Sequence, residues 1–282
     1  MSTFAALRDS FAEDEHTRGK QFEKVCKWFL ETDPRYSNHL VKVWLWDDWP
    51  DRWGPDLGID LVAEDNEGKN WAIQAKCYDP ENSVSKREID SFLSESTNKH
   101  IDHRLLIATT DRVGSNAQGV IRRGSAVIPV SQVLLRDLET APVIWPSNPD
   151  RLSDGAPRKP TKRWPHQTLA ISNVTKNLGK RGQMISACGT GKTLAALWIS
   201  ESLNAKRTLV LLPSLTLLSQ TVSEWLANAK EPFAYLPVCS DETVTRGNYA
   251  ATLFTSDLQD PVTTNSEEIA GFIRKNGRQV VF

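Results

Sequence analysis

Eight residues, Ser186-Ala187-Cys188-Gly189-Thr190-Gly191-Lys192-Thr193, restrict the fold more than any other stretch of the chain. An apolar run, Gln183 to Ala187, leads into them, and Leu194, Ala195, Leu197 and Trp198 follow at helical spacing. Small residues between a strand and a helix let successive backbone N–H groups turn toward one point, and the helix N-terminus adds partial positive charge. That arrangement cradles phosphate: Gly189, Thr190 and Gly191 form the cradle, Lys192 reaches the β- and γ-phosphates, and the Thr193 hydroxyl ligates Mg²⁺. Ser186 stands where the general pattern has glycine, a small-for-small departure. A chance glycine-rich turn is the bland alternative, and the Gly-Lys-Thr triplet with both flanks in place argues against it. The expected cofactors are therefore ATP and Mg²⁺.

Around this loop the second half alternates helices and strands. Helices are expected from Trp164-Pro165 to about Leu178, from Lys192 to Leu203, from Ser214 to Ala229, and from Asn265 or Ser266 to about Asn276-Gly277. Strands are expected at 183–187, 208–212, 235–239 and 279–282. Such alternation predicts a parallel sheet covered on both faces. The first half reads differently. Phe22, Val25, Cys26, Phe29 and Leu30 make one apolar face on a helix near 18–31, ended by Asp33-Pro34. Residues 58–63 and 70–77 read as strands around the turn Asp65-Asn66-Glu67-Gly68. Ser85 and Glu88 fit a capping box that opens a helix through Ile89, Phe92 and Leu93. A buried strand at 104–109, a helix near 118–123 and a strand near 126–130 complete a small mixed sheet.

The stretch between Trp145 and Arg163 is rich in Pro, Ser, Asp and basic residues, which is linker chemistry. The expected organisation is a domain over 1–146, a linker over 147–162 and a second domain over 163–282. The chain has 282 residues, enough for two domains, and a formal net charge of -1. No global basic field points to nucleic acid, so contact with it must come from local patches. Cys26, Cys77, Cys188 and Cys239 lie too far apart for a zinc or disulfide framework, and reduced thiols are the simplest reading. The N-terminus has no apolar signal core, and no run is apolar enough to span a bilayer. A soluble cytoplasmic protein without a membrane partner is expected.

Three segments together carry a resemblance: Arg163-Trp164-Pro165-His166-Gln167, the loop at 186–193, and Leu211-Leu212-Pro213-Ser214 with the run after it. They resemble the first, RecA-like motor domain of superfamily 2 helicases. The resemblance implies that Gln167 contacts adenine and that the Pro213-Ser214 segment touches a DNA backbone. A plain helix N-cap remains open for Ser214 and a polar surface residue for Gln167. The DEAD or DEAH acidic pair of that family does not occur after Thr193, since Asp241-Glu242 lacks the strand context. The motor domain is therefore expected to be incomplete, binding ATP without productive hydrolysis, in an N-terminal piece of a longer protein.

Upstream, Asp60 lies on one strand, and Gln74 and Lys76 lie two apart on the next, so those two share a face. A carboxylate, a second oxygen ligand and a lysine are what Mg²⁺-dependent phosphodiester hydrolysis needs. The wording Gly58-Ile59-Asp60 with Ile73-Gln74-Ala75-Lys76 resembles the Mrr-like branch of the PD-(D/E)xK nucleases, whose fold is restriction-endonuclease-like. Gly19-x-x-Phe22-Glu23 and Leu106 to Thr110 extend that resemblance over most of 16–130. It implies that Asp60, Gln74 and Lys76 are catalytic, that Asp60 and Gln74 hold the metal, and that Glu23 assists; Asp56 is a weaker candidate. Trp44 to Trp53 holds four tryptophans, read as core and loop packing because interleaved acids repel phosphate. The cluster Arg158 to Arg163 contacts DNA or is solvated linker.

A nuclease of this kind ahead of such a motor is the arrangement of type ISP restriction–modification enzymes. That resemblance implies an endonuclease acting on double-stranded DNA, governed by ATP-driven translocation in the full protein. Two other readings stay open: a translocase with a non-catalytic nuclease-like DNA-binding module, and a nucleotide-binding regulatory module without a DNA role. The oligomeric state is not legible.

Overall fold

The computed structural model describes residues 2–54, 58–97, 100–125, 127–177, 181–239 and 255–282. Asp56 and the pair Asp241-Glu242 lie outside them. The chain divides into two compact units. One runs up to Pro157 and also takes in residues 255–262; the other holds the rest from Arg158 onward.

The first unit contains α1 (Phe4–Arg8), α2 (Glu15–Thr32), α3 (Pro34–Ser37), β1 (Leu40–Leu45), β2 (Leu61–Asp65), β3 (Asn70–Lys76), α4 (Lys86–Glu95), β4 (His103–Ala108), α5 (Ser115–Ser125), β5 (Val130–Val133), α6 (Leu135–Thr140), β6 (Val143–Ile144) and β7 (Ala156–Pro157). Strands β1 to β5 form one sheet in sequence order. β1, β2 and β3 pair antiparallel, then β3, β4 and β5 pair parallel. This is the mixed sheet with helices on its faces that the sequence predicts. Strand β4 is buried along its whole length. Leu105 and Ile107 enter the core with Phe22, Val25, Phe29 and Trp145, while Leu106 and Ala108 enter a second core with Ile89 and Ile121. Burial on both faces is why this strand reads as a continuous apolar run. The caps are local: the Asp14 side chain accepts from the Thr17 N–H, and Ser85 with Glu88 closes the capping box of α4.

Three local expectations change. The last strand begins at Val130 instead of 126, leaving Val127 76% exposed. Strand β1 has no clean alternation to announce it, because its register shifts between Leu40 and Lys42. The stretch read as linker from 147 instead returns as β7 against β6, and Arg158 opens the second unit. Residues 255–262, expected in the second domain, belong to the first unit for a hydrogen-bonding reason. β5 is an edge strand, and the Gln132 N–H donates to the Leu258 carbonyl at 3.1 Å while its Nε2 donates to the Ser256 carbonyl at 2.8 Å. A buried Arg35–Asp260 ion pair holds the same segment. An edge strand with unpaired donors needs such a cover.

The second unit contains α7 (Pro165–Asn177), α8 (Lys192–Ser202), β8 (Arg207–Leu209), α9 (Leu215–Asn228), β9 (Ala234–Leu236), α10 (Ser266–Arg274) and β10 (Gln279–Val281). Its strands pair in parallel in the order β8-β10-β9. Leu194, Leu197, Trp198, Val222, Trp225 and Val280 fill its core. Residues 183–187 are not a strand: no strand among the described residues pairs with them, and Ile185 is 87% exposed. An extended segment becomes a strand only when a neighbour satisfies its backbone. The cover on both sheet faces is also incomplete, since Leu209 on edge strand β8 is 66% exposed.

Candidate functional sites

The first site sits where β2 and β3 open. Leu61 pairs with Ile73, and the Asp60 N–H donates to the Ile73 carbonyl at 2.9 Å. Asp60 directly precedes β2, beside the Gln74–Ala75 end of β3. The Asp60 Oδ2 accepts the Ala75 N–H at 2.7 Å, a ladder donor left over where β2 has ended. The carboxylate is thus held by backbone before any ligand arrives. Gly58 adopts φ +130°, a region that favours glycine. Its carbonyl accepts the Gln74 Nε2–H at 3.1 Å. That bond fixes which end of the amide is which, because a carbonyl cannot accept from an oxygen without hydrogen. Gln74 is 1% exposed, and its Oε1 is buried without a hydrogen-bond partner. A buried, unpaired amide oxygen beside a carboxylate fits a hard cation, which takes oxygen ligands.

Lys76 ends β3 and is half-buried. Two residues on, Tyr78 is pinned to the end of β4: its N–H donates to the Thr109 hydroxyl at 2.7 Å, and that hydroxyl donates to its carbonyl at 2.6 Å. The Tyr78 hydroxyl donates to Glu88. Burial opposes ionisation of Glu88, yet bonds from Tyr78 and Ser85 and the charge of Lys76 hold its pKa below the usual value. Burial, then the Glu88 bond, pushes the Tyr78 phenol up. Sequence reasoning missed this neighbouring pair, although 74, 76 and 78 alternate along one extended run.

Glu23 lies on α2, paired with Lys20 at 2.9 Å. Burial first, then the charges of Cys77, Asp60 and Glu23, drive the Cys26 thiol well above its ordinary value, so Glu23 and Asp60 act on one buried thiol. Among the described residues no three His, Cys, Asp or Glu side chains gather as a metal-binding group. The tryptophans do pack: Trp46 and Trp49 are buried, and Trp53 meets both rings edge-on at 5.0 and 5.5 Å.

The second site is the loop ahead of α8. Gly189 and Gly191 both take positive φ, +75° and +71°. The Lys192 Nζ donates to the Ser186 and Ala187 carbonyls at 3.2 and 2.8 Å, so the ammonium is folded over the loop it is expected to serve. Behind the loop the Trp225 Nε1–H donates to the Thr193 carbonyl at 3.0 Å, fixing the backbone of that residue. Gln167 is buried against the loop, with Nε2 3.2 Å from the Thr190 carbonyl and 3.3 Å from the Gly191 carbonyl. Ser214 caps α9, accepting the Leu217 N–H at 3.3 Å. The basic run before α7 is exposed, with Arg163 lying over the Trp198 ring at 5.0 Å. No helix among the described residues is long and apolar enough to cross a membrane.

Residues 31–151 match the family model described as restriction endonuclease, and residues 161–269 match the one described as type III restriction enzyme, res subunit. Among solved structures, the ATP-dependent Type ISP restriction-modification enzyme LlaBIII bound to DNA is 30% identical with a TM-score of 0.81. That similarity covers 100% of this chain and 18% of the LlaBIII chain. The MspJI restriction endonuclease in complex with a 27-mer oligonucleotide is 17% identical, with a TM-score of 0.32, over 48% of this chain and 29% of that one. No curated protein matches the chain. Along the chain the restriction-endonuclease match comes first and the res-subunit match second.

Proposed function

We propose, from a chain that carries a restriction-endonuclease domain followed by part of a res-subunit helicase domain, that it cleaves double-stranded DNA with Mg²⁺ and binds ATP. One observation carries the nuclease reading: the Asp60 carboxylate is anchored at the Gln74–Ala75 end of β3 by the Ala75 N–H, and the neighbouring Gln74 Oε1 is buried and unpaired. Asp60 and Gln74 would hold the metal, with Glu23 assisting from α2. When bound, Mg²⁺ supplies polarisation of the phosphate and a lowered pKa for a water. The Ala75 N–H holds the Asp60 carboxylate, and the Gly58 carbonyl holds the Gln74 amide by its nitrogen, leaving the oxygen for a ligand. The Lys76 ammonium steadies negative charge at the attacking water.

In the second unit, Gly189, Thr190 and Gly191 present backbone to the phosphates of ATP. Lys192, now on the Ser186 and Ala187 carbonyls, would neutralise phosphate charge, the Thr193 hydroxyl would help hold the nucleotide's Mg²⁺, and Gln167 would complete the site. In a longer protein built like the LlaBIII enzyme, translocation driven by ATP would govern where cleavage occurs. A cytoplasmic location fits this role.

The test is nicking of supercoiled DNA by this chain with Mg²⁺, beside Asp60→Ala and Lys76→Ala. We expect nicking to fall by at least about 100-fold in each variant, the scale for loss of a group that stabilises transition-state charge. Equal nicking by all three proteins sinks the nuclease reading.

A further inference from the structure

The two carboxylate oxygens of Glu88 have separate commitments. Oε2 accepts the Ser85 N–H at 3.0 Å and the Ser85 hydroxyl at 2.7 Å. Those bonds belong to the start of α4, where a capping box asks for one acceptor oxygen at this position. Oε1 does something the helix does not require: it accepts the Tyr78 hydroxyl. Tyr78 is itself fixed, because its N–H and its carbonyl both bond the Thr109 hydroxyl, at 2.7 and 2.6 Å. The carboxylate is therefore gripped from two sides, by the start of α4 and by the chain leaving β3.

Lys76 is the opposite case. It ends β3 two residues before Tyr78, and both are half-buried. Its ammonium has no hydrogen-bond or ion-pair partner among the described residues. A charge on a flexible four-carbon stem stays spread over many rotamers unless something draws it to one place. The charge of Lys76 acts on Glu88, behind burial and the bonds from Tyr78 and Ser85. Coulomb attraction falls with distance, so this ammonium and this carboxylate are neighbours. Burial, Glu88 and Glu15 act on the Tyr78 phenol, and so does Asp60. The Tyr78–Glu88 pair thus stands beside the first site.

We infer that Glu88 is a positioning residue: held still by Tyr78 and Ser85, its carboxylate draws the Lys76 ammonium to one place beside Asp60 and Gln74. This rests on the reading of Asp60, Gln74 and Lys76 as a nuclease site. Glu88 acts through Lys76 and touches neither DNA nor metal in this role. Removing its charge leaves the lysine present but unplaced, so the step that needs the ammonium slows while DNA is held as before.

Glu88→Gln tests this, because glutamine also serves a capping box and the substitution removes the charge. In nicking of supercoiled DNA by this chain with Mg²⁺, we expect kcat to fall by about 10- to 100-fold, the scale for residues that orient a functional group from behind. KM for DNA should stay within about twofold. Glu88→Asp, which keeps the charge on a shorter stem, restores part of the loss. In a Lys76→Ala background Glu88→Gln costs nothing further, because the side chain it acts on is gone. A second measurement needs no turnover. NMR relaxation of the Lys76 side chain in the metal-free chain should show lower order in Glu88→Gln than in the native protein. Unchanged Lys76 order in that variant overturns the inference. So does the same fold loss of nicking with and without Lys76, or a raised KM with kcat unchanged. A native chain that does not nick DNA refutes the nuclease reading itself, a separate result, and the relaxation measurement still decides whether Glu88 places Lys76.

Discussion

The two sites are built in opposite ways. Around Asp60 and Gln74 the side chains are 9% and 1% exposed, and sheet hydrogen bonds fix both before a ligand is present. Around Lys192 the loop is largely exposed, and the lysine rests on its own loop's carbonyls. A site made from sheet register is preorganised, so binding costs little further ordering. A site made from a loop has contacts of its own to exchange before a ligand can be held. The lesson is that the first site is sensitive to substitutions that shift strands, and the second to those that free or tie the loop.

The largest effect should come from a reciprocal pair of variants. Lys192→Ala is expected to abolish measurable ATP binding while leaving Mg²⁺-dependent nicking by this chain intact. Asp60→Ala is expected to do the reverse. Calorimetry and a nicking assay on both proteins check this, and loss of both activities in either variant would break the contrast between the sites.

Next in size is the support behind the loop. Trp225 is 2% exposed and bonds the Thr193 carbonyl. Trp225→Ala should cost about 3–5 kcal/mol, as for large aromatic truncations in a core. Urea unfolding followed by fluorescence checks it. A cost below about 1 kcal/mol would mean that the loop's rear wall is not part of a packed core.

The first unit should respond to acid through His103. Burial first, then the charges of His39, Arg104 and Lys69, depress its pKa from 6.5 to about 3. Below pH 6.5 the unfolded chain binds a proton that the folded one refuses, so stability falls as pH drops from 6.5 toward 3. From His103 alone, the loss between pH 6.5 and 4.5 is about 2–3 kcal/mol. Asp33 works the other way: burial raises it from 3.8 to about 6. Its contribution is full below pH 3.8 and is lost as pH rises through 6. Between about pH 3.8 and 6 the two slopes oppose each other, so unfolding measured across this range should gain stability toward acid in His103→Gln and lose it in Asp33→Asn. Identical profiles for the three proteins would count against the burial of both groups.

The smallest expected effect is at the cap of α4. Ser85→Ala removes a hydroxyl that donates to Glu88 at 2.7 Å. A loss of about 1 kcal/mol is expected in thermal unfolding. If nicking also falls by more than about tenfold, the preorganisation of the first site extends as far as Glu88, beside Lys76.

Much of this was legible in the residues because it is local. The spacing of Phe22, Val25, Cys26 and Phe29 announces α2, Ser85 with Glu88 announces α4, and the glycines with Lys192 and Thr193 announce the loop. Alternation also put Gln74 and Lys76 on one face. What stayed hidden depends on partners far away in sequence. Val127 looks as apolar as Val130, yet only Val130 meets Arg104 on β4. Residues 183–187 have strand-like composition, yet no strand among the described residues pairs with them. Nothing near Gln132 in sequence announces that Ser256 and Leu258 will cover it.

By itself the sequence determined which short-range elements form and which residues they present, because capping, periodicity and loop glycines act within a few residues. Only the tertiary structure decided how those residues are committed. Whether an amide is spare, as the Gln74 oxygen is, or clamped, as Gln167 is, depends on the backbone groups that packing brings beside it. A buried polar atom must find a partner or await one, and that condition is set by the fold as a whole.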